Sequence, residues 1–226
     1  MVIDFATSAL IEVDVQVDFC PPYTSRDGTV RPAGALAVQG GDRVVGPLNA
    51  LAEKFARAEG AVAASQDWHP EGHVSFAAAH PGKRVGDLVR LPGDMEQILW
   101  PAHCVMNTAG ARFHEELRVD LITFVLRKGY HEDLDSYSVF FENDRKTPTG
   151  LEDFLKEKAV DTILVGGLAT DYCVFFSVMD GLRLGYRVIL LTDAVAGVDL
   201  PPGSVERALK AMQEGGALFV NSGDIS

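Results

Sequence analysis

Cys173 lies at the junction of a predicted strand and a predicted helix, in the segment "GGLATDYCVFFSVMDGLRLG" that runs from Gly166 to Gly185. The first turn of a helix carries partial positive charge and N–H groups without intrahelical partners. Both features lower the pKa of a thiol, and the same N–H groups can hold an oxyanion. A free cysteine is just as often a small, buried, apolar side chain. Cys173 is therefore a candidate nucleophile whose role depends on its surroundings.

Two charged residues stand at the ends of other predicted strands: Asp14 in "IEVDVQVDF" and Lys128 in "FVLRKGY". A carboxylate beside a thiol can take its proton, and a lysine beside both can stabilise the negative charge. Each residue also has a structural interpretation. Asp14 could serve as a helix cap or, with Asp18, as a hydrogen-bond hub, and Lys128 could be a solvated strand end. A nucleophile, a base and a cationic partner result if the fold brings the three side chains together.

A candidate metal site follows the second predicted strand, in "QDWHPEGHVSF". Asp67 and His69 are separated by one residue, so in an extended segment their side chains point the same way. Three further histidines of this region are His73, His80 and His103. A carboxylate with imidazole nitrogens is a ligand set for Zn²⁺, Fe²⁺ or Mn²⁺, whereas loop histidines can also cap turns. Spacing alone leaves open which of the histidines bind.

Short apolar runs alternate with amphipathic segments, which predicts an α/β fold. The expected strands are 9–15, 61–66, 122–128, 161–167, 187–193 and 217–220, and the expected helices are 41–60, 147–159, 171–185 and 203–216. Strands that are apolar throughout and separated by helices indicate a mostly parallel, six-stranded sheet covered on both faces. We therefore expect a single three-layer α/β/α domain that spans residues 1–226.

Three long irregular segments, 16–40, 67–108 and 129–147, each follow a predicted strand. Ligands bind outside the carboxyl ends of the strands in open α/β sheets, and loops of this length are usually functional. We expect the three segments to form one pocket. A doubly wound strand order places the first and fourth strands side by side, which would bring Asp14 and Cys173 together.

The net charge of the 226-residue chain is −12, which argues against nucleic acid and anionic membrane as partners. No apolar stretch approaches the roughly 18 residues of a membrane span, and the first residues are typical of a strand rather than a signal peptide. The three cysteines are irregularly spaced, which suits a reducing cytosol better than a disulfide framework. We expect a cytoplasmic protein that acts on a small molecule and forms a homo-oligomer.

Six segments resemble, in order, the motifs of nicotinamidases, which are isochorismatase-like cysteine hydrolases. They are "VDVQVDF", "QDWHPEGHVSF", "LWPAHCV", "RKGY", "DSYSVF" and "VGGLATDYCV". The resemblance covers nearly the whole chain, and the "LWPAHCV" segment distinguishes nicotinamidases from several of their relatives. It implies the isochorismatase-like hydrolase fold. It also implies a metal-dependent amide hydrolase that converts nicotinamide to nicotinate and ammonia through a thioester, in NAD salvage.

The resemblance implies a catalytic triad. Cys173 would be the nucleophile, Asp14 the general base, and Lys128 the charged partner that orients both. The backbone N–H groups of Ala169 and Cys173 would form an oxyanion hole beside a cis Leu168–Ala169 peptide bond. We therefore expect the thiol, the carboxylate and the ammonium group to meet at one end of the sheet.

The resemblance also implies one divalent metal ion held by Asp67, His69 and His103, with Zn²⁺ as the first candidate and Fe²⁺ or Mn²⁺ as alternatives. His73 is a candidate for the surroundings of these ligands. The residues implied to enclose the pyridine ring are Phe19, Trp100 and Tyr137. The long segment 20–41 has no assigned role.

Two other hypotheses compete with the amide hydrolase. One is another hydrolase of the same superfamily, such as an isochorismatase-type ether hydrolase or a carbamoyl-amide hydrolase; Cys173 and the metal motif argue against the isochorismatase type. The other is a metal-binding or redox-sensing protein without turnover, built from the histidines, Cys173 and Cys104. Adjacent residues in an extended segment point apart, so His103 and Cys104 are not expected to share one metal.

Overall fold

Fourteen helices and strands make up the computed structural model, which describes residues 1–226. In chain order they are β1 (Ser8–Val13), β2 (Tyr23–Thr24), β3 (Val30–Arg31), α1 (Val45–Arg57), β4 (Ala61–Asp67), β5 (Leu88–Leu91), β6 (Met95–Ile98), β7 (Phe124–Lys128), α2 (Leu151–Glu157), β8 (Thr162–Leu168), α3 (Cys173–Arg183), β9 (Arg187–Ala196), α4 (Ser204–Glu214) and β10 (Leu218–Val220).

Six of the strands form one sheet in the order β10-β9-β8-β1-β4-β7, and every pair in it is parallel. The expected six-stranded parallel sheet is confirmed. Strand β1 lies between β8 and β4, so the first and fourth predicted strands are neighbours as expected. All residues of β1, β4 and β8 are buried, because both faces of a parallel sheet are covered by helices.

The two faces of the sheet carry separate apolar cores, which makes three layers. On one face α1 packs through Leu48, Leu51 and Phe55. On the other face α2, α3 and α4 pack together. Successive residues of β1 alternate between them, since Leu10 belongs to the first core and Ile11 to the second. This alternation follows from the period of two residues along a strand.

The structure corrects some of the expected boundaries. The helix expected at 41–60 begins with a 3₁₀ turn at Gly41–Val44 before α1, and the helix expected at 147–159 is shorter. Two small antiparallel hairpins, β2–β3 and β5–β6, lie within the segments expected to be irregular. Their strands of two to four residues are largely exposed or half-buried, so they lack the apolar run that marks a buried strand.

None of the helices has the length and apolar character that crossing a membrane would require.

Candidate active site

The carboxyl edge of the sheet collects the charged residues singled out from the sequence. Asp14 directly follows β1, and Asp67 and Lys128 are the last residues of β4 and β7, where they face each other in register. Cys173 begins α3, and four residues separate it from the end of β8. Gly167 allows β8 to approach β1 closely, because a side chain there would meet the carbonyl oxygen of Val13 at 2.0 Å.

Asp14, Lys128 and Cys173 form one buried cluster. The Lys128 Nζ atom lies 2.9 Å from Oδ2 of Asp14 and 3.4 Å from Sγ of Cys173. The ammonium group also donates to Asp67 Oδ1 and, at 2.9 Å, to the carbonyl oxygen of Ser136. Lys128 and Asp14 are both fully buried. The structure thus brings together three side chains that lie far apart in the sequence, the nearest two being 45 residues apart.

Charge compensation explains the electrostatics of this cluster. Burial alone would lower the pKa of Lys128, but the carboxylates of Asp14 and Asp67 outweigh it and raise that pKa well above its usual value. Burial would raise the pKa of Asp67, yet the charge of Lys128 holds it well below the usual value. For Asp14 burial prevails over Lys128, and its pKa is raised. The cluster therefore keeps a permanent cation next to a carboxyl group with high proton affinity.

The thiol differs from the sequence-based expectation. We expected the start of the helix to lower the pKa of Cys173, but burial raises this pKa well above its ordinary value, against the opposing effect of Lys128. A buried thiolate loses more hydration than the single cation returns. The resting residue is thus a thiol, and a nucleophilic role requires that its proton leave for a neighbouring base.

Asp67, His69 and His103 form a second buried cluster, with ligand atoms within 4.8 Å of one another. The Nε2 atoms of His69 and His103 lie 3.6 and 3.8 Å from Oδ2 of Asp67, beyond hydrogen-bond distance. Each Nδ1 atom is held by a backbone carbonyl at 2.8 Å, from Gly129 and Pro101. That outer contact fixes the tautomer and leaves Nε2 as a lone-pair donor. One oxygen and two nitrogens therefore fit a divalent metal.

The remaining histidines of this region have other tasks. The ring of His73 stacks on His69 at 4.2 Å, and its two nitrogens contact Ser75 Oγ and the carbonyl oxygen of Leu134. His80 contacts the carbonyl oxygen of Val74 instead. His73 thus borders the ligand cluster, and with His69 and Asp135 it forms another group of potential ligand atoms that lie within 4.8 Å of one another.

A small cavity adjoins both clusters. Its walls include every residue that the resemblance placed around the substrate: Phe19, Trp100 and Tyr137. Cys173, Ala169 and the three metal-ligand candidates line it as well. Sequence reasoning missed four further lining residues, which are Leu36, Asp135, Tyr172 and Val198. Asp135 and Tyr172 belong to the motifs "DSYSVF" and "VGGLATDYCV" and could have been found that way, whereas Leu36 and Val198 have no local signal.

The backbone around Cys173 offers free N–H groups. The Leu168–Ala169 peptide bond is cis, as the resemblance implied. Among the backbone hydrogen bonds outside the regular helices and strands, none is donated by the amides of Ala169 or Cys173. Both residues line the cavity. Two unengaged donors at a helix start are what an oxyanion needs.

Segment 20–41, which had no assigned role, contributes a wall of the cavity through Leu36. Asp18 holds this segment in place through two hydrogen bonds. Its Oδ1 atom accepts from the amide of Ala35 at 3.1 Å, and its Oδ2 atom accepts from the amide of Cys104 at 2.7 Å. The hydrogen-bond hub considered for Asp14 is therefore Asp18, which ties this segment to the loop that carries His103.

Comparison with known proteins identifies the family to which this chain belongs. The isochorismatase domain profile matches residues 8–223. The chain therefore belongs to the isochorismatase family. A curated relative, the nicotinamidase of Escherichia coli K12, is 41% identical over 219 residues, which are 96% of this chain and 95% of that protein.

Two solved structures extend the comparison. The Acinetobacter baumanii nicotinamidase/pyrazinamidase superposes with a TM-score of 0.87 at 40% identity, covering 97% of this chain and 98% of that one. The pyrazinamidase of Pyrococcus horikoshii, solved in complex with zinc, has a TM-score of 0.72 at 33% identity and covers 95% and 99% of the two chains.

Proposed function

We propose that this protein hydrolyses nicotinamide to nicotinate and ammonia, as a metal-dependent cysteine amidase in NAD salvage. The observation that carries the proposal is the contact of Lys128 with both Asp14 and Cys173, in a cavity that also holds the cluster of Asp67, His69 and His103. Relatives that cover nearly the whole chain are named for this activity.

The first chemical step is attack by sulfur. Cys173 gives its proton to Asp14 and forms a bond to the carboxamide carbon, whose carbonyl electrons move to oxygen. The raised pKa of Asp14 suits it to accept that proton. Lys128 keeps its own proton throughout, because two carboxylates stabilise its charge. The amides of Ala169 and Cys173 hold the oxyanion, a contribution of about 10²–10³ in rate for each donor.

The second step expels ammonia. The carbonyl re-forms, the carbon–nitrogen bond breaks, and protonated Asp14 gives its proton to the departing nitrogen. A water molecule then loses a proton to Asp14 and attacks the thioester. The carbon–sulfur bond breaks, the sulfur recovers a proton from Asp14, and nicotinate leaves. One carboxyl group thus serves each proton transfer, at a position fixed by Ser65, whose Oγ donates to Asp14 Oδ1 at 2.7 Å.

We propose Zn²⁺ as the ion held by Asp67, His69 and His103, with Fe²⁺ and Mn²⁺ as alternatives, since two imidazole nitrogens and one carboxylate oxygen suit all three. When bound, this metal supplies a Lewis acid with open positions for the pyridine nitrogen. Phe19, Trp100 and Tyr137 line the same cavity and are proposed to enclose the ring. Such positioning can contribute roughly 7–11 kcal/mol in favourable cases.

The sensor hypothesis has less support. The Cys104 side chain is fully buried, and its sulfur is in none of the candidate metal clusters. Of the three cysteines, only Cys173 lines the cavity.

Ammonia release from nicotinamide by the purified protein, with and without a chelator, tests the proposed function. We expect turnover that a chelator suppresses and added Zn²⁺ restores. A panel of other amides and of isochorismatase-type ethers separates this activity from those of other superfamily members. A protein loaded with metal that releases no ammonia from nicotinamide would contradict the proposal.

We further propose a cytoplasmic location and a homo-oligomer. All three cysteines are free and buried, as suits a reducing compartment. The edge strand β7 exposes Val125, an apolar side chain that a second copy could cover. Sedimentation analysis measures the assembly, and a monomer at micromolar concentration would refute that part.

A further inference from the structure

Gln97 is a buried amide that stands behind the active-site cavity. It belongs to β6, is 1% exposed, and does not line the cavity that holds Cys173. It lines a neighbouring cavity. The two cavities share two lining residues, Asp135 and Tyr137. These two side chains are therefore a common wall, with Gln97 on its far side.

The side-chain nitrogen of Gln97 is surrounded by acceptors. It lies 2.8 Å from Asp135 Oδ2, 2.8 Å from the carbonyl oxygen of Ile98, and 3.0 Å from the hydroxyl oxygen of Tyr137. A carboxylate and a carbonyl can only accept hydrogen bonds, so the amide must present its NH₂ group here. Rotating the amide by 180° would place its oxygen against two other oxygens. The orientation of Gln97 is thus fixed by its partners.

The hydroxyl group of Tyr137 has a fixed polarity for the same reason. Besides the Gln97 contact, its oxygen accepts from Nε1 of Trp100 at 3.1 Å. An indole N–H and an amide NH₂ can only donate, so the phenol oxygen is the acceptor in both contacts. Because the NH₂ group of Gln97 has two hydrogens for three acceptors, two of the acceptors share one hydrogen. The O–H group of Tyr137 must point away from both donors. The Asp135 carboxylate, which forms the rest of the common wall, is also fixed. Its Oδ2 atom accepts from Gln97, and its Oδ1 atom accepts from the amide of Ser136.

We propose that Gln97 is a positioning residue of the reaction, one that holds the Asp135 carboxylate and the Tyr137 hydroxyl in the geometry that receives the substrate. This inference rests on the proposed function. Gln97 does not touch the cavity, so it acts through these two partners. Its removal frees the carboxylate and the phenol to reorient, which weakens the complex with nicotinamide more than it slows the chemical step.

The test is the Gln97→Met variant, which keeps the length of the side chain but loses the NH₂ donor. We expect kcat/KM for nicotinamide to fall on the order of tenfold, mainly through a higher KM, as for the loss of one well-placed hydrogen bond. The matched control is Gln213→Met, the same change at an exposed position of α4, which should leave both constants unchanged. Rates are expressed per reactive thiol to correct for misfolded protein.

A double variant distinguishes positioning from general support of the fold. Combined with Tyr137→Phe, the Gln97→Met change should cost less than it does alone, because one of its two targets is already gone. Full multiplication of the two losses, or a lower kcat at unchanged KM, would overturn the inference.

If Gln97→Met fails to fold, Gln97→Glu serves instead. It has the same shape, but its carboxylate would face the carboxylate of Asp135, and we expect a larger rise in KM. Failure of the wild-type protein to release ammonia overturns the proposed function, and this inference with it. Wild-type turnover that Gln97→Met leaves unaltered overturns the inference alone.

Discussion

The two buried clusters of the site are built on opposite principles, although Lys128 touches both. In the proposed triad the ammonium group of Lys128 donates hydrogen bonds to Asp67, the carbonyl oxygen of Ser136 and the sulfur of Cys173, and it forms an ion pair with Asp14, so its charge is balanced by the protein itself. In the metal cluster the Nε2 atoms of His69 and His103 stand beyond hydrogen-bond distance of Asp67. The first arrangement pairs its charges within the protein, whereas the second leaves three ligand atoms within 4.8 Å of one another and without hydrogen bonds between them.

This difference predicts how substitutions in each cluster affect turnover and metal content. A side chain removed from the triad leaves an uncompensated charge or an absent reactive atom within the fold. A histidine removed from the metal cluster weakens a site without disturbing the charge balance around Lys128, to which only Asp67 of the three ligand candidates contributes. We therefore expect triad variants to lose turnover while retaining metal, and ligand variants to lose metal while retaining the triad.

Lys128→Met removes the side chain that contacts both clusters, and we expect the largest combined effect. The change leaves Asp14 and Asp67 buried side by side without a counter-ion, at a cost of about 3–5 kcal/mol. That is a large fraction of ordinary domain stability. Denaturant unfolding measures the loss, and ammonia release should fall to background. Stability equal to that of the wild type would show that the two carboxylates do not depend on Lys128.

Cys173→Ala should abolish turnover by roughly 10⁴-fold or more, because no other group can form the thioester. Metal content, measured by elemental analysis, should stay at the wild-type level. Alkylation offers an independent measurement: Cys173 lines the cavity while the other two cysteines do not, so it should be labelled first, and nicotinamide should protect it. Equal labelling of all three thiols would contradict the expectation that Cys173 alone is accessible from the cavity.

Asp14→Asn keeps the size of the side chain and removes the base. We expect kcat to fall by about 10²–10⁴, the usual range for a general acid–base group. Retained metal and a cooperative unfolding transition would show that the fold and the other cluster persist. Turnover within tenfold of the wild type would assign the proton transfers to another group.

His103→Ala tests the other cluster. One nitrogen ligand is lost, so metal content should fall, and kcat/KM should fall by about 100-fold, the upper end for groups that support a metal. Excess Zn²⁺ should recover part of the activity, and a chelator should bring the wild-type protein to the same low level. Full activity at undiminished metal content would remove His103 from the ligand set.

The sequence predicted the parts of the site that sit at the ends of regular strands. Asp14, Asp67 and Lys128 were found because apolar runs end at them, and the parallel order of the sheet then places them at one edge. The wall formed with Gln97 was not found. Gln97 and Asp135 are 38 residues apart and meet through a short, half-exposed hairpin. Neither apolar period nor motif spacing encodes such a contact, since it depends on how two loops pack.

The prediction of a lowered pKa for Cys173 was wrong for a different reason. A helix start lowers the pKa of a cysteine only where the surroundings do not desolvate the thiolate more strongly, and the residues that bury Cys173 come from distant segments. The local pattern indicated the position correctly but not its protonation state. On the proposed mechanism, proton transfer to Asp14 is then part of the attack rather than a step completed beforehand.

Ser65→Ala is the mildest test, because it removes no charge from either cluster. The Ser65 hydroxyl donates to Asp14 Oδ1 at 2.7 Å and accepts from the Asp14 amide at 3.1 Å. Without it, Asp14 keeps its contact with Lys128 but loses the bond that fixes the rotation of its carboxyl group. We expect kcat to fall about tenfold, as for one hydrogen bond, with KM and metal content unchanged. Ser65→Thr, which keeps the hydroxyl, is the matched control. A change in KM or metal content with kcat unaltered would contradict the proposal that Ser65 orients the carboxyl group of Asp14.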